Sequence, residues 1–308
     1  MGTKISVLIP VFNEEESIKE LYDSLSSVLK REHYDYKIMF VDDGSTDSTY
    51  QRISEIKAKD KRISVVRFKT NCGKSVALTE GFRRLSGIVV TMDGDLQDDP
   101  EEIPNLLKKL NENWDLVSGW KFKRRDPVDK TIPSKIFNFV LRLFSGVKIH
   151  DFNCGLKIYK EEVYRNLDIY GSLYRFIPVL AARLGFKVTE IPVNHKPRKY
   201  GKSKFGSSRF LIGLFDFFTV LFLSRYFQSP LHFFGLWGLV AVMIGFLIDC
   251  YVLYLKITTG TIQNRLPLFL GGIFLILMGF QFLSLGLIGE LITKSSNRRT
   301  PVIIEEDK

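Results

Sequence analysis

Cysteine is scarce in this chain: Cys72, Cys154 and Cys250 lie far apart among 308 residues, which excludes a disulfide framework and a zinc cluster. The glycine signatures of common nucleotide-binding folds are missing as well. No G-x-G-x-x-G follows a strand pattern, and the Gly-Lys-Ser stretches at Gly73 and Gly201 carry Phe68 and Lys196 where a phosphate-binding loop needs its leading glycine. There is no aromatic-interleaved basic strand and no recognition helix, so the net charge of +10, from 44 Lys+Arg against 34 Asp+Glu, does not point to nucleic acid. No apolar leader precedes the first strand, because Met1 to Lys4 runs straight into it, and a cytoplasmic start is expected.

Charge itself is lacking in two long stretches. Phe233 to Leu255 carries Asp249 alone, and Leu266 to Gly289 carries no charge. At a rise of about 1.5 Å per residue each can cross a hydrocarbon layer of roughly 30 Å. Two transmembrane helices are therefore expected at about 233–255 and 266–289, within a membrane region 229–293. Lys202, Lys204, Arg209 and Arg225 before them, and Lys294, Arg298 and Arg299 after them, place both chain ends on the cytoplasmic side by the positive-inside tendency. Residues 205–228, apolar but interrupted by Arg209, Asp216 and Arg225, are expected to form an interfacial helix region, and 294–308 a cytoplasmic tail. Gly271, Gly272, Gly279, Gly286 and Gly289 permit close helix contact and hence a homo-oligomer.

Residues 1–204 read as an α/β domain. Strand patterns at Lys4 to Pro10, Tyr36 to Val41, Ile63 to Phe68 and Ile88 to Met92 alternate with helical stretches opening near Asn13, after Asp47, and after Lys74. That alternation calls for a parallel sheet. Trp114 to Gly119 and Leu156 to Tyr159 are further strands, and a last one ends at Ile191-Pro-Val.

Two strands end on acids. Val41 runs into Asp42 and Asp43, and Met92 into Asp93 and Asp95, one residue apart across Gly94. Ligands of open α/β sheets sit at the carboxyl ends of the strands. Hard oxygens at this spacing suit Mg²⁺ or Mn²⁺ carrying substrate phosphates, and Gln97 could add a neutral oxygen. Asp98 and Asp99, before Pro100, are expected to cap the helix that opens near Glu101. The basic run Lys121, Lys123, Arg124, Arg125, Lys130 leads into an apolar helix at Pro133 to Phe144, a pairing that fits an anionic headgroup with a greasy tail. Asn194 to Ser208, rich in Lys and Arg with Gly201 and Gly206, is expected to be a mobile basic loop that lies on anionic lipid, covers phosphates, or does both.

Taken in order, Ile9-Pro-Val-Phe-Asn-Glu-Glu, Val41-Asp-Asp-Gly-Ser, Asn71-Cys-Gly-Lys, Asp93-Gly-Asp-Leu-Gln, Asp151-Phe-Asn-Cys-Gly and Arg198-Lys-Tyr-Gly-Lys-Ser-Lys resemble the family 2 glycosyltransferases of the polyisoprenyl-phosphate type. With its two C-terminal spans the chain is similar to the bacterial subgroup that glucosylates undecaprenyl phosphate. The resemblance implies a glycosyltransferase A, Rossmann-like catalytic domain on the cytoplasmic side of the bacterial inner membrane. It implies a nucleotide-diphosphate sugar donor, UDP-glucose first, with mannose, galactose or an amino sugar as alternatives. The donor would lie against Pro10, Val11, Asn13, Glu14, Asp42, Lys74, Asp93 and Gly94, with Arg198 and Lys202 closing on its diphosphate. Asp93, Asp95 and Gln97 would hold the divalent ion. Lys121, Lys130 and Ser134 would hold the acceptor phosphate, with Lys where relatives often have the bidentate Arg.

By the same resemblance Asp151 is the base. A phosphate monoester with a second pKa of about 6 is already mostly dianionic at neutral pH, so orienting the acceptor or stabilising positive charge at the anomeric carbon is the role expected of it. A processive polysaccharide synthase shares the nucleotide-binding half, but its Gln-x-x-Arg-Trp motif is absent here: Trp114, Trp120 and Trp237 all lack a preceding Arg. A soluble-acceptor transferase would not need the apolar stretches, and a catalytically silent module would not need Asp93, Asp95 and Asp151.

Overall fold

Strong β-branched runs separated by amphipathic segments give a central seven-stranded sheet. The computed structural model describes residues 4–122, 138, 141–142, 145–171, 173–197, 199–200, 230–261 and 265–296, the last four of these by their backbone alone. The chain divides into two compact units, Met1–Phe217 and Phe218–Lys308.

In the first unit the strands are β1 Lys4–Val11, β2 Asp35–Asp42, β3 Ile63–Arg67, β4 Ile88–Thr91, β5 Leu116–Lys121, β6 Lys157–Tyr159 and β7 Val188–Val193. The helices are α1 Ile18–Arg31, α2 Thr49–Lys59, α3 Lys74–Arg84, α4 Ile103–Leu110, α5 Glu161–Arg165 and α6 Ile177–Arg183. The spatial order is β3-β2-β1-β4-β6-β5-β7. β1 pairs parallel with β2 and β4, and β2 with β3, so the expected parallel sheet holds for the first four strands. It does not hold beyond them. β6 runs antiparallel to both of its neighbours, β4 and β5, while β7 is again parallel to β5.

α1 shows how the sequence drives the packing. Ile18, Leu21, Leu25 and Leu29 recur at helical spacing, are fully buried, and join Ile5, Val7, Ile9, Ile38 and Phe40 of the sheet in one core. The helix begins at Ile18 rather than near Asn13. Asn13 has φ 52°, and its carboxamide oxygen accepts the Thr46 N–H at 2.8 Å, so residues 13–17 are a turn tied to the β2 loop instead of a first helical turn.

In the second unit, α7 Pro230–Thr259 and α8 Leu266–Ser296 are long and apolar enough to cross a membrane. A Cβ on Gly238 would lie 2.7 Å from the Gly279 carbonyl oxygen, and one on Gly245 would lie 2.5 Å from that of Gly272. These pairs let the two backbones touch, so Gly272 and Gly279 serve the pairing of α7 with α8. Gly272 also leaves the space that the Asp249 carboxylate fills. Outward from this seam, Trp237, Phe246, Tyr254, Phe274 and Leu291 are exposed.

Most of the expected helix Pro133 to Phe144 and all of 205–228 and 297–308 lie outside the described residues. Asn138, Leu141 and Arg142 are described and helical.

Candidate active site

The strand order reverses between β2 and β4 on either side of β1, and the crevice at such a switch point is where α/β sheets bind ligands. Pro10 and Val11 end β1 there, and Gly94 follows β4. A Cβ at Gly94 would sit 2.8 Å from Val11 Cγ1, so glycine is what lets the β4 loop close against β1. Ser17 Oγ donates to the Gly94 carbonyl at 2.7 Å, drawing the two loops together.

The β2 end is held mainly by backbone donors. Asp42 is fully buried, accepts the Ser45 N–H at 2.9 Å, and pairs with Arg67 at 3.3 Å. Asp43 turns the other way and accepts the N–H groups of Cys72 at 2.7 Å and Gly73 at 2.9 Å. Burial raises the Asp43 carboxyl above its ordinary value against the pull of those two donors. The Asn71–Lys74 segment is thereby fixed at the start of α3.

Lys74 reaches from that segment to Asp93 and forms an ion pair with it, while its ammonium also lies over the Tyr174 ring at 5.1 Å. Burial works against both charges, but their mutual attraction prevails: Asp93 is held below the usual carboxylate range and Lys74 above the usual lysine range. Asp95 accepts the Gln97 N–H at 3.2 Å, across Leu96 at φ 62°. A left-handed leucine is a strained conformation of the sort found where function dictates the backbone.

β6 brings in the distant residues. Because it runs antiparallel, the loop preceding it, Asp151 to Leu156, lies at the edge where β4 and β5 end. Asp151 is 1% exposed and accepts the Asn153 N–H at 3.0 Å. Gly155 lies directly on Asp93, where a Cβ would fall 2.5 Å from the carboxylate carbon. Thr91 Oγ1 donates to the Gly155 carbonyl at 2.9 Å, and the buried Lys157 ammonium donates to the Cys154 carbonyl. Burial depresses the Lys157 pKa and pushes the Cys154 thiol up to about 12. A narrow cleft with room for about one water molecule opens here, lined among others by Lys74, Asp93, Asn153, Gly155 and Tyr174.

Sequence reasoning treated Asp98 as a helix cap, and the structure corrects this. Asp99 is the cap, accepting the Glu101 N–H. Asp98 is buried, accepts the Asp93 N–H at 3.2 Å, and pairs with Lys121 at 3.4 Å. Burial opposes the Lys121 charge, yet Asp98 and the neighbouring acids hold its pKa well above the ordinary value. A third acid in the run Asp95 to Asp99 was the available signal. The root of the basic loop is fastened to the same turn: Asp98 forms a β-bridge with His195, and the Lys196 N–H donates to the Gln97 carbonyl at 3.0 Å. Lys196 pairs with Asp99 and Lys199 with Glu20. Of the expected site residues, Pro10, Val11, Asn13, Glu14, Asp42, Lys74, Asp93, Gly94, Asp95, Gln97, Lys121 and Asp151 all fall at this edge of the sheet, whereas Lys130, Ser134, Arg198 and Lys202 lie outside the described residues.

A mixed sheet with acidic strand ends at its switch point defines a glycosyltransferase A-type domain. The chain belongs to the Glycosyl transferase family 2, whose profile matches residues 6–168. It is 32% identical to a dodecaprenyl-phosphate galacturonate synthase of Rhizobium johnstonii over 96% of this chain and 89% of that protein. It is 31% identical to an undecaprenyl-phosphate 4-deoxy-4-formamido-L-arabinose transferase of Salmonella choleraesuis, with the same coverage of 96% and 89%. Among solved structures, the UDP complex of glucosyl-3-phosphoglycerate synthase from Mycobacterium tuberculosis superposes with TM-score 0.54 at 24% identity, covering 72% of this chain and 80% of that one. Its complex with Mn²⁺, UDP-glucose and phosphoglyceric acid gives TM-score 0.52 at 24% identity, covering 65% and 73%. These two carry the fold.

Proposed function

We propose that the protein transfers a sugar from a nucleoside diphosphate to a polyisoprenyl phosphate such as undecaprenyl phosphate, at the cytoplasmic face of a bacterial membrane. The observation that carries this is the meeting of Asp93, Lys74, Lys121 and the Asp151 loop at one sheet edge, in a chain that also has two apolar helices of spanning length. Glucose was the first expectation for the sugar. Two relatives similar along nearly their whole length carry galacturonate and 4-deoxy-4-formamido-L-arabinose in their names, whereas the glucosyl transferase above shares the fold. The alternative, another sugar, is better supported.

The donor set fits a divalent ion. Asp93 and Asp95 offer hard oxygens on one turn, and only the lack of a side chain at Gly155 makes room for the Asp93 carboxylate packed against it. Among the described residues no cluster of three or more His, Cys, Asp or Glu side chains could hold an ion, so substrate phosphates would have to supply its remaining oxygens. Mg²⁺ or Mn²⁺ bound there would neutralise charge on the departing diphosphate. The chain does the rest. The donor lies over Pro10, Val11 and Asp42, with Asn13 and Glu14 beside it, and Lys74 exchanges its bond with Asp93 for one with a phosphate. Arg198 and Lys202 close over the diphosphate.

Lys121, Lys130 and Ser134 receive the acceptor phosphate, Lys121 sharing its ammonium with Asp98. An acceptor oxygen attacks the anomeric carbon as the bond to the diphosphate breaks, inverting that centre. Asp151 orients the acceptor and offsets positive charge at the carbon, since the dianion needs no base. α7 and α8 span the bilayer with both chain ends inside, and a homo-oligomer remains part of the proposal.

The test is to incubate the purified full chain in detergent with undecaprenyl phosphate, Mg²⁺ or Mn²⁺, and UDP-glucose, UDP-galacturonate or UDP-4-deoxy-4-formamido-L-arabinose. Mass spectrometry should find one lipid-linked monosaccharide of inverted configuration. A product made only on a soluble phosphorylated acceptor would overturn the lipid reading.

A further inference from the structure

Glu190 of β7 is absent from the mechanism above, yet its surroundings are built around the Asp151 turn. Its side chain is 9% exposed and takes three donors. The backbone N–H of His150 reaches it at 2.7 Å and that of Asp151 at 3.2 Å, and the His150 ring pairs with its other oxygen. The His150 ring also stacks on Trp120, centroids 4.3 Å apart and planes 16° from parallel. β5 and β7 supply this arrangement through register: Glu190 stands opposite Ser118, and Trp120 lies two residues further along the same face of β5.

The turn is thus pinned at both ends by neighbouring strands. Thr91 of β4 holds Gly155, and Glu190 of β7 holds residues 150 and 151. Phe152, Cys154 and Leu156 are fully buried and seat the body of the turn, which leaves Glu190 to fix its polar start at residues 150 and 151, where a reacting group displaced by about 1 Å can cost on the order of 100-fold in rate.

We infer that Glu190 is a positioning residue for Asp151: its carboxylate fixes the backbone at residues 150 and 151 and so sets where the Asp151 side chain meets the acceptor. This rests on the reading of Asp151 given above. A merely structural role would lower stability and nucleotide affinity together. A positioning role lowers kcat and leaves the affinity for the nucleotide sugar alone, because the β1 and β2 loops are untouched.

The experiment measures kcat and KM for the full chain in detergent. Glu190→Ala should lower kcat about 10- to 100-fold, with the nucleotide-sugar KM within about 2-fold of wild type. Glu190→Gln keeps a carbonyl oxygen that accepts both backbone N–H groups, and it should retain roughly a third of kcat. Glu190→Asp keeps the charge but is one methylene too short, and it should be slower than the Gln variant. That pair decides the matter if the Ala variant does not fold. In an Asp151→Asn background, Glu190→Ala should add less than about 3-fold, because both changes act through one group. Full kcat in Glu190→Ala, an undiminished second loss in the Asp151→Asn background, or a Gln variant slower than Asp would overturn the inference. A wild-type rate in Asp151→Asn would instead remove the reading of Asp151 beneath it, which separates the two failures.

Discussion

The two sides of the sheet build their parts of the site differently. On the β1–β4 side the two carboxylates that end β2 are held chiefly by backbone donors: Asp42 by the N–H of Ser45, and Asp43 by those of Cys72 and Gly73. On the β5–β7 side the contacts are charged side chains: Lys121 on Asp98 and Glu190 on the Asp151 turn from distant segments, and Lys157 on the Cys154 carbonyl from the strand that follows it. A backbone-lined loop makes a fixed anion and base receptor. Opposed charges in a buried place can be re-partnered when a substrate phosphate arrives. The first arrangement suits a nucleotide that recurs across many enzymes, and the second suits an acceptor that must be drawn from a membrane.

Asp93 belongs to both sides, so changing it should have the largest effect. Asp93→Asn weakens the pairing with Lys74 and takes a charged oxygen from the proposed ion, and product formation should fall by about 1000-fold or more. Nucleotide binding by calorimetry should lose its dependence on Mn²⁺. Residual activity near wild type would separate the halves and break the comparison. Next comes Gly155→Ala, whose methyl would lie 2.5 Å from the Asp93 carboxylate carbon. It should cost about 10- to 100-fold in kcat by displacing Asp93, an effect that starts on the acceptor side and is felt on the donor side. Lys74→Met should act on the donor side alone. The KM for the nucleotide sugar should rise about 10-fold with loss of a charged phosphate contact, while the KM for undecaprenyl phosphate stays put. A rise in both would show that the two sides are one.

The same division governs how much could be read from the sequence. Val41-Asp-Asp-Gly-Ser and Asn71-Cys-Gly-Lys are contiguous, and their spacing to a strand end is visible in the chain, so the residues of the proposed donor side were legible as a group. Asp151 was legible only through the family likeness. The strand it precedes is too short for its periodicity to give a direction, and in a parallel strand the preceding residue would lie at the opposite edge. Only the antiparallel setting of β6 brings Asp151 beside Asp93 and Lys121. Asp98 and Glu190 were missed because their partners are 23 and about 40 residues away, as the contacts Lys121–Asp98, His150–Glu190 and Asp151–Glu190 record. A cap and a solvated acid look the same in sequence. The glycines of α8 were read as surfaces for other copies, but Gly272 and Gly279 meet α7; a small residue marks a close approach without saying to what.

The smallest effect concerns the scaffold behind the donor side, where one buried carboxylate joins α1, the end of α2 and β3. Asp60 accepts the backbone N–H, Nε and Nη2 of Arg62 at 3.0, 2.9 and 2.8 Å and the Tyr22 hydroxyl at 2.9 Å. Arg62 in turn lies over the Tyr36 ring, 4.5 Å from its centroid. The Arg62 hydrogen bonds hold the Asp60 carboxyl down to about 2. Burial, with Asp60 nearby, pushes the Tyr22 phenol up to about 12. A lowered acid contributes stability above its unfolded pKa of about 3.9, and that contribution is lost as pH falls toward the folded value; a raised phenol contributes below its unfolded pKa of about 10 and loses it as pH climbs. The cluster should therefore support the fold fully between about pH 4 and pH 10 and fail on either side. Asp60→Asn should lower stability by about 1–2 kcal/mol at neutral pH, the value being modest because Arg62 is partly in solvent. Thermal unfolding of the purified protein across pH should show the wild type and the variant converging as pH falls from about 4 to about 2, while the KM for nucleotide sugar is the same in both. A constant gap down to pH 2 would mean that Asp60 acts by packing rather than by charge.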